Sequence, residues 1–203
     1  DIHYIDLTGG TGTGRKVAAL AGERLVRTTM ELGGKTPVIV CQDANLDGAI
    51  AGGLFSAFVA SGQTCVSGAR FVVHCDIYDQ FITGMAARAD AITLGDPMDD
   101  STQMGPVISQ TSKDKCLRMI AQAKMDGAVQ VAGAQASDLP APFDEGYFVR
   151  PTILKDVRPD HELFLEEVFG PVISITPYDD EAEALVLANT GTFGLGCSIW
   201  SRD

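Results

Sequence analysis

Short apolar, β-branched runs alternate with longer amphipathic stretches along nearly the whole chain, and this alternation restricts the fold more than any other feature of the sequence. Residues 2–7 read as a strand, and the glycine-rich turn Thr8-Gly-Gly-Thr-Gly-Thr-Gly14 follows. A helix is expected over about 15–27, with Val17, Leu20, Ala21 and Leu25 on one side. Residues 28–32 are extended, Gly33-Gly34 turns, and 37–41 form a buried strand. A helix starting in the region 43–47 ends near Ala60, a strand covers 70–75, and a helix covers 78–91. A long Gly/Pro/Asp loop over 94–107 leads to a helix capped by Ser109 and continuing to about Asp126. Strands are expected at 129–132, 172–176 and 195–200, a polar loop at 137–145, an extended segment around Pro151 and a helix at 181–189. Parallel strands need long crossovers, and the helical stretches between these runs supply them. The pattern implies an α/β fold built on a mostly parallel open sheet flanked by helices.

Composition removes several function classes. A formal net charge of −12 with no basic cluster argues against nucleic acid, which needs a cationic face. No apolar run approaches the roughly 20 residues that span a bilayer, so no membrane partner is expected. The five cysteines are odd in number and form no CxxC pair, which gives neither a metal site nor a disulfide framework and suits the cytoplasm. Cys41, Cys75, Cys116 and Cys197 read as packing. His74 and His161 have no expected cluster of carboxylates or cysteines around them and receive no metal or catalytic role.

Two segments carry candidate chemistry. Cys65 lies in Ser61-Gly-Gln-Thr-Cys-Val-Ser-Gly-Ala-Arg70, where small residues let a sulfur reach a substrate; the plain alternative is a small apolar side chain in a tight loop. Glu31, in Glu31-Leu-Gly-Gly-Lys35, is a carboxylate able to deprotonate a thiol or a water. A phosphate could approach the strand–glycine–helix arrangement at Gly9, Gly10, Gly12 and Gly14, although the spacing is not GxGxxG and a plain glycine turn is the alternative. Gly33, Gly34, Gly105, Pro106 and Pro151 read as backbone shapers, and Lys35 as structural.

Taken together and in order, six segments resemble motifs of the NAD(P)-dependent aldehyde dehydrogenase superfamily. They are Leu7 through Gly14, Met30 through Pro37, Gly62 through Arg70, Gly95-Asp-Pro97 with Gln103-Met-Gly-Pro106, Gly146 through Thr152, and Glu166 through Val172. The 34-residue separation of Glu31 and Cys65 also suits the family. The resemblance implies that Cys65 is the nucleophile and Glu31 the general base that activates the hydrolytic water. It implies that Gly9, Gly10 and Gly14 shape the pyrophosphate turn and that Leu32 lies near the nicotinamide amide. Glu167 resembles the residue that binds the nicotinamide ribose, and Phe169 the one packing beside the ring. The cofactor is NAD or NADP, no metal is implied, and the partner is a small-molecule aldehyde. The family is usually a homo-oligomer, dimer or tetramer. Residues 1–30 correspond to the tail of its dinucleotide-binding domain and 31–203 to its catalytic domain, expected to be truncated at the C-terminus.

Two details refine this expectation. The family usually has serine where this chain has Gly10, which removes one hydroxyl contact to phosphate. Members that pass the acyl group to coenzyme A generally lack the glutamate base, so Glu31 favours release of a free carboxylic acid. The asparagine that completes the family's oxyanion hole is not within these residues, and the 203-residue stretch alone is expected to be folded but inactive. The alternatives are a catalytically silent relative with a binding or structural role, which the presence of both Cys65 and Glu31 disfavours, and an acyl-transferring cysteine enzyme without nicotinamide, which Glu167 and the glycine turn disfavour.

Overall fold

A computed structural model of the protein describes residues 2–133, 139 and 141–203. Its strands form two sheets. β1 (Tyr4–Thr8) and β2 (Arg27–Glu31) make a two-stranded parallel pair joined by α1 (Thr11–Glu23). The second sheet has six strands: β3 (Thr36–Val40), β4 (Gly68–His74), β5 (Val129–Ala132), β6 (Thr152–Lys155), β7 (Val172–Tyr178) and β8 (Ser198–Trp200). Their order across the sheet is β5-β6-β7-β4-β3-β8. Every neighbouring pair is parallel except β5–β6, which is antiparallel at one edge.

β3, β4 and β7 are apolar on both faces because helices cover both. α2 (Leu46–Phe58) and α3 (Cys75–Asp90) pack one side, where Val38, Val40, Phe71, Phe81 and Met85 form the core. α4 (Gln110–Met125), α5 (Glu162–Leu165) and α6 (Glu181–Asn189) pack the other, around Ile39, Val72, Met119, Leu154 and Phe164. Side-chain caps set the helix starts: Asn45 Oδ1 accepts from the Gly48 N–H and Ser109 Oγ from the Ser112 N–H. At α6, Asp180 Oδ1 accepts from the Glu183 N–H while Glu183 Oε2 accepts from the Asp179 N–H.

The first helix departs from the sequence expectation at both ends. It begins at Thr11 with Gly10 as N-cap, so Gly12 and Gly14 belong to its first turn and not to the preceding loop. It ends at Glu23 because Leu25 takes a left-handed conformation (φ 55°). The Leu25 N–H bonds the Gly22 carbonyl and the Val26 N–H the Ala21 carbonyl, a Schellman closure with leucine where glycine is usual. That closure directs Leu25 into solvent, where it is 92% exposed, and Leu20 is exposed as well; only Ala21 of the expected apolar face is buried. The expected polar loop lies partly outside the described residues, at 134–138 and 140, and Phe143–Glu145 within it forms a single 3₁₀ turn.

Candidate active site

Three loops enter neighbouring parallel strands from the same edge of the large sheet. Gly33-Gly34 leads into β3, the Gln63–Ser67 segment into β4 and Glu166–Pro171 into β7. The chain reaches the first of these directly from the end of β2, so the small sheet delivers Glu31 and Leu32 to that edge.

Cys65, Glu167, Phe169 and Gly170 line one cavity of about 20 Å³, room for a single water, with Gly34 at its wall. Cys65 is half-buried and reduced. Its backbone is held from both sides. The Ser67 N–H bonds the Thr64 carbonyl, and a Cβ at Gly34 would lie 2.5 Å from the Cys65 carbonyl oxygen. Only glycine fits between the entry to β3 and the Cys65 loop. Glu167 Oε1 accepts from the Gly34 N–H at 3.0 Å, and a Cβ at Gly33 would lie 2.6 Å from Glu167 Oε2. The glycine pair thus seats the carboxylate at the cavity. Phe169, 40% exposed and left-handed (φ 57°), is not a core residue; it stands at the cavity mouth.

Glu31 is the last residue of β2, exposed, and does not line that cavity. Its carbonyl accepts from the Gly9 N–H at 2.9 Å, which ties the glycine turn to the end of β2. Leu32 fills the space that a Cβ of Gly14 would need, and the Gly14 N–H bonds the Gly10 carbonyl within the helix. Gly9 and Gly14 therefore spend their N–H groups on the scaffold. An α-helix leaves the N–H groups of its cap and first three residues without intrahelical acceptors, here Gly10 to Thr13. No side chain caps that terminus and no acidic residue lies in its first turn, so it can receive an anion such as a pyrophosphate.

Two lysines lie beside the site, Lys115 without a sequence signal and Lys35 already read as structural. Lys115 on α4 donates to the Glu167 carbonyl at 2.6 Å, a contact across 52 residues that no local pattern signals. Lys35, immediately after the glycine pair, is fully buried, and its Nζ has no hydrogen-bond partner among the described residues. Burial, reinforced by the nearby Arg70 guanidinium and partly offset by Glu167, lowers its pKa to about 7. Arg70 itself locks β4 to the end of α6, donating to the Ala188 carbonyl at 2.7 Å and to the Thr190 carbonyl, with its guanidinium 5.0 Å from the Phe164 ring centre.

Some expectations need correction. Of the four cysteines read as packing, Cys116 is buried and Cys41 half-buried, but Cys75 and Cys197 are exposed. Cys75 opens α3 just past the end of β4, and Cys197 precedes the edge strand β8. His74 does have cysteine and carboxylate neighbours: ligand atoms of His74, Cys75 and Asp76 lie within 4.8 Å of one another. Its Nδ1 is occupied as the cap of α3, accepting from the Asp76 N–H at 3.2 Å.

The sequence profile described as the aldehyde dehydrogenase family matches residues 1–203. The chain belongs to the aldehyde dehydrogenase family. It is 41% identical over 199 residues to a betaine aldehyde dehydrogenase of Brucella anthropi, covering 98% of this chain and 41% of that protein. Among solved aldehyde dehydrogenases, the NAD+ complex from Bacillus cereus superposes with a TM-score of 0.94 at 35% identity, covering 100% of this chain and 40% of the other. PnpE in complex with nicotinamide adenine dinucleotide gives a TM-score of 0.96 at 38% identity, covering 100% and 41%. The chain thus spans about two fifths of the length of the aldehyde dehydrogenases it matches. Among the described residues no helix is long and apolar enough to cross a membrane.

Proposed function

We propose that the protein carrying this chain oxidises an aldehyde to a carboxylic acid with NAD or NADP, using Cys65 as nucleophile and Glu31 as general base. The observation that carries this reading is the convergence of Cys65, Glu167 and Phe169 on one cavity at the sheet edge reached by the small sheet. The uncapped terminus at Gly10 to Thr13 and the Glu167 carboxylate suit a dinucleotide, one through its phosphates and the other through a ribose hydroxyl. When bound, the cofactor supplies the hydride acceptor.

In this mechanism the Cys65 thiolate attacks the aldehyde carbon, forming a C–S bond and a tetrahedral oxyanion. The Cys65 N–H donates to that oxyanion. Loss of hydride leaves a thioester on Cys65. Glu31 takes a proton from water, the water oxygen attacks the thioester carbon, and the C–S bond breaks to release the acid and regenerate the Cys65 thiolate, after which Glu31 returns its proton to solvent. Because Glu31 is not in the cavity lining, it acts through that water or after a change of side-chain rotamer. Residues 1–30 serve as the tail of the dinucleotide-binding domain and 31–203 as the catalytic domain. The whole protein is read as a cytoplasmic homo-oligomer. The betaine aldehyde dehydrogenases among its relatives make a quaternary-ammonium aldehyde one substrate to include. The test is NADH or NADPH formation by the whole protein over a panel of aldehydes. Cys65→Ala is expected to abolish it, and activity above about a thousandth of wild type would refute the assignment.

A further inference from the structure

Among the described residues five non-glycine positions are left-handed: Leu25, Ala60, Ser61, Asp156 and Phe169. Leu25 and Asp156 close regular elements, as the ends of α1 and β6 require. The other three flank Cys65. Ala60 (φ 50°) and Ser61 (φ 56°) run on into Gly62 (φ 68°), giving three successive left-handed residues just before Gln63-Thr64-Cys65. Alanine and serine have no intrinsic preference for that conformation, because a left-handed backbone brings Cβ too near the following carbonyl oxygen. Single left-handed residues end elements routinely, but a run of three does not persist without external restraint.

The hydrogen-bonded restraint from outside the turn comes from one remote segment. Ser61, buried, donates from Oγ to the Gly105 carbonyl at 3.0 Å, and Gln63 Oε1 accepts from the Ile108 N–H at 3.0 Å. The Gln63 N–H closes the turn on the Ala60 carbonyl at 3.0 Å. On the opposite side the space that a Cβ of Gly62 would occupy is taken by the Gly170 carbonyl, next to left-handed Phe169. The turn is therefore gripped between the Gly105–Ile108 segment and the strand entry that carries Glu167.

We propose that Ser61 and Gln63 are positioning residues, which hold the left-handed turn in its unfavourable conformation and so aim the Cys65 sulfur into the cavity. This inference rests on Cys65 being the nucleophile. If either cross-link is lost, Ala60 and Ser61 relax towards right-handed values, and rotation at those bonds is levered onto a sulfur four to five residues on. The carboxylate of Glu167 is untouched, since its anchor is Gly34.

The test is made in the whole protein with two readouts. One is the rate of Cys65 alkylation by iodoacetamide, followed on the Cys65 peptide, which needs no cofactor or aldehyde. The other is the single-turnover rate of NADH formation. Gln63→Met keeps the volume but removes the acceptor, and is expected to slow both about 10–100-fold while leaving the NAD dissociation constant within about twofold. Gln63→Glu keeps an oxygen for the Ile108 N–H and is expected to restore both rates. Ala60→Asn, a residue that tolerates the left-handed region, is expected to recover part of the loss in the Gln63→Met background. A purely structural role would lower thermal stability without this pattern of rescue. Wild-type alkylation in folded Gln63→Met would overturn the proposal, and Ser61→Ala supplies the same comparison should Gln63→Met not accumulate. Those outcomes leave the catalytic reading intact; aldehyde oxidation surviving in Cys65→Ala would remove the reading itself.

Discussion

Gly34→Ala places a methyl group where the entry to β3 meets the Cys65 loop. The new Cβ would stand 2.5 Å from the Cys65 carbonyl oxygen, a backbone atom that cannot rotate away, while ordinary contact begins near 3.4 Å. The two backbones must separate by about 0.9 Å, and a displacement of about an ångström at a reacting group costs on the order of 10²-fold in rate. The overpacking itself costs about 1–3 kcal/mol of stability, enough to lower the melting temperature by several degrees without unfolding the protein. Rapid-mixing measurement of the first turnover isolates hydride transfer from later steps, and it should slow by that factor, with a smaller change in the NAD dissociation constant, since alanine keeps the backbone N–H that anchors Glu167 and the uncapped helix terminus lies elsewhere. A variant that folds with the wild-type single-turnover rate would show that the Cys65 backbone does not need this seat, and the geometric account of the nucleophile would fail.

Glu31→Gln should spare formation of the thioester and slow its hydrolysis, so an initial burst of NADH survives while steady-state turnover falls by roughly 10²–10⁴-fold; equal loss of both would give Glu31 another role. Glu167→Gln should slow hydride transfer more than it weakens cofactor binding, and a tenfold rise in the NAD dissociation constant with unchanged turnover would count against an aiming function. Lys35 predicts a pH dependence of stability. Its folded pKa, about 7, lies below that of the unfolded chain, so between about pH 7 and 10 the unfolded state binds more protons and stability rises with pH. Below pH 7 the full penalty, on the order of 5 kcal/mol, applies. Lys35→Met should therefore melt higher than wild type at pH 6–7 and show a flatter profile up to pH 10; parallel curves would refute the burial effect.

The sheet and its helices were legible because their signals are local. β3 and β4 centre on the apolar runs 38–40 and 71–73, Ser109 caps the helix whose start it fixes, and α6 has the expected bounds. The first helix was misjudged because glycine is costly in a helix interior but not in the first turn, where Gly12 and Gly14 stand. Its end was missed because a left-handed leucine has no sequence signature. The antiparallel sense of β5–β6 is decided by tertiary pairing alone. In the site, Cys65, Glu167 and Phe169 could be named from their motifs, and all three line one cavity. Motifs could not show that Gly34 seats both Cys65 and Glu167, nor that Lys115 reaches the Glu167 carbonyl, because those relations arise from tertiary packing.

The exposed thiol of Cys75 follows directly on β4, at the opposite end from Cys65. Seven strand residues at about 3.3 Å each separate the two by roughly 23 Å. That rigid spacing makes β4 a built-in molecular ruler. A fluorophore on Cys75, with Cys65 and Cys197 first replaced, would report by energy transfer on NADH binding at the far edge, from a vantage point the chemistry never touches.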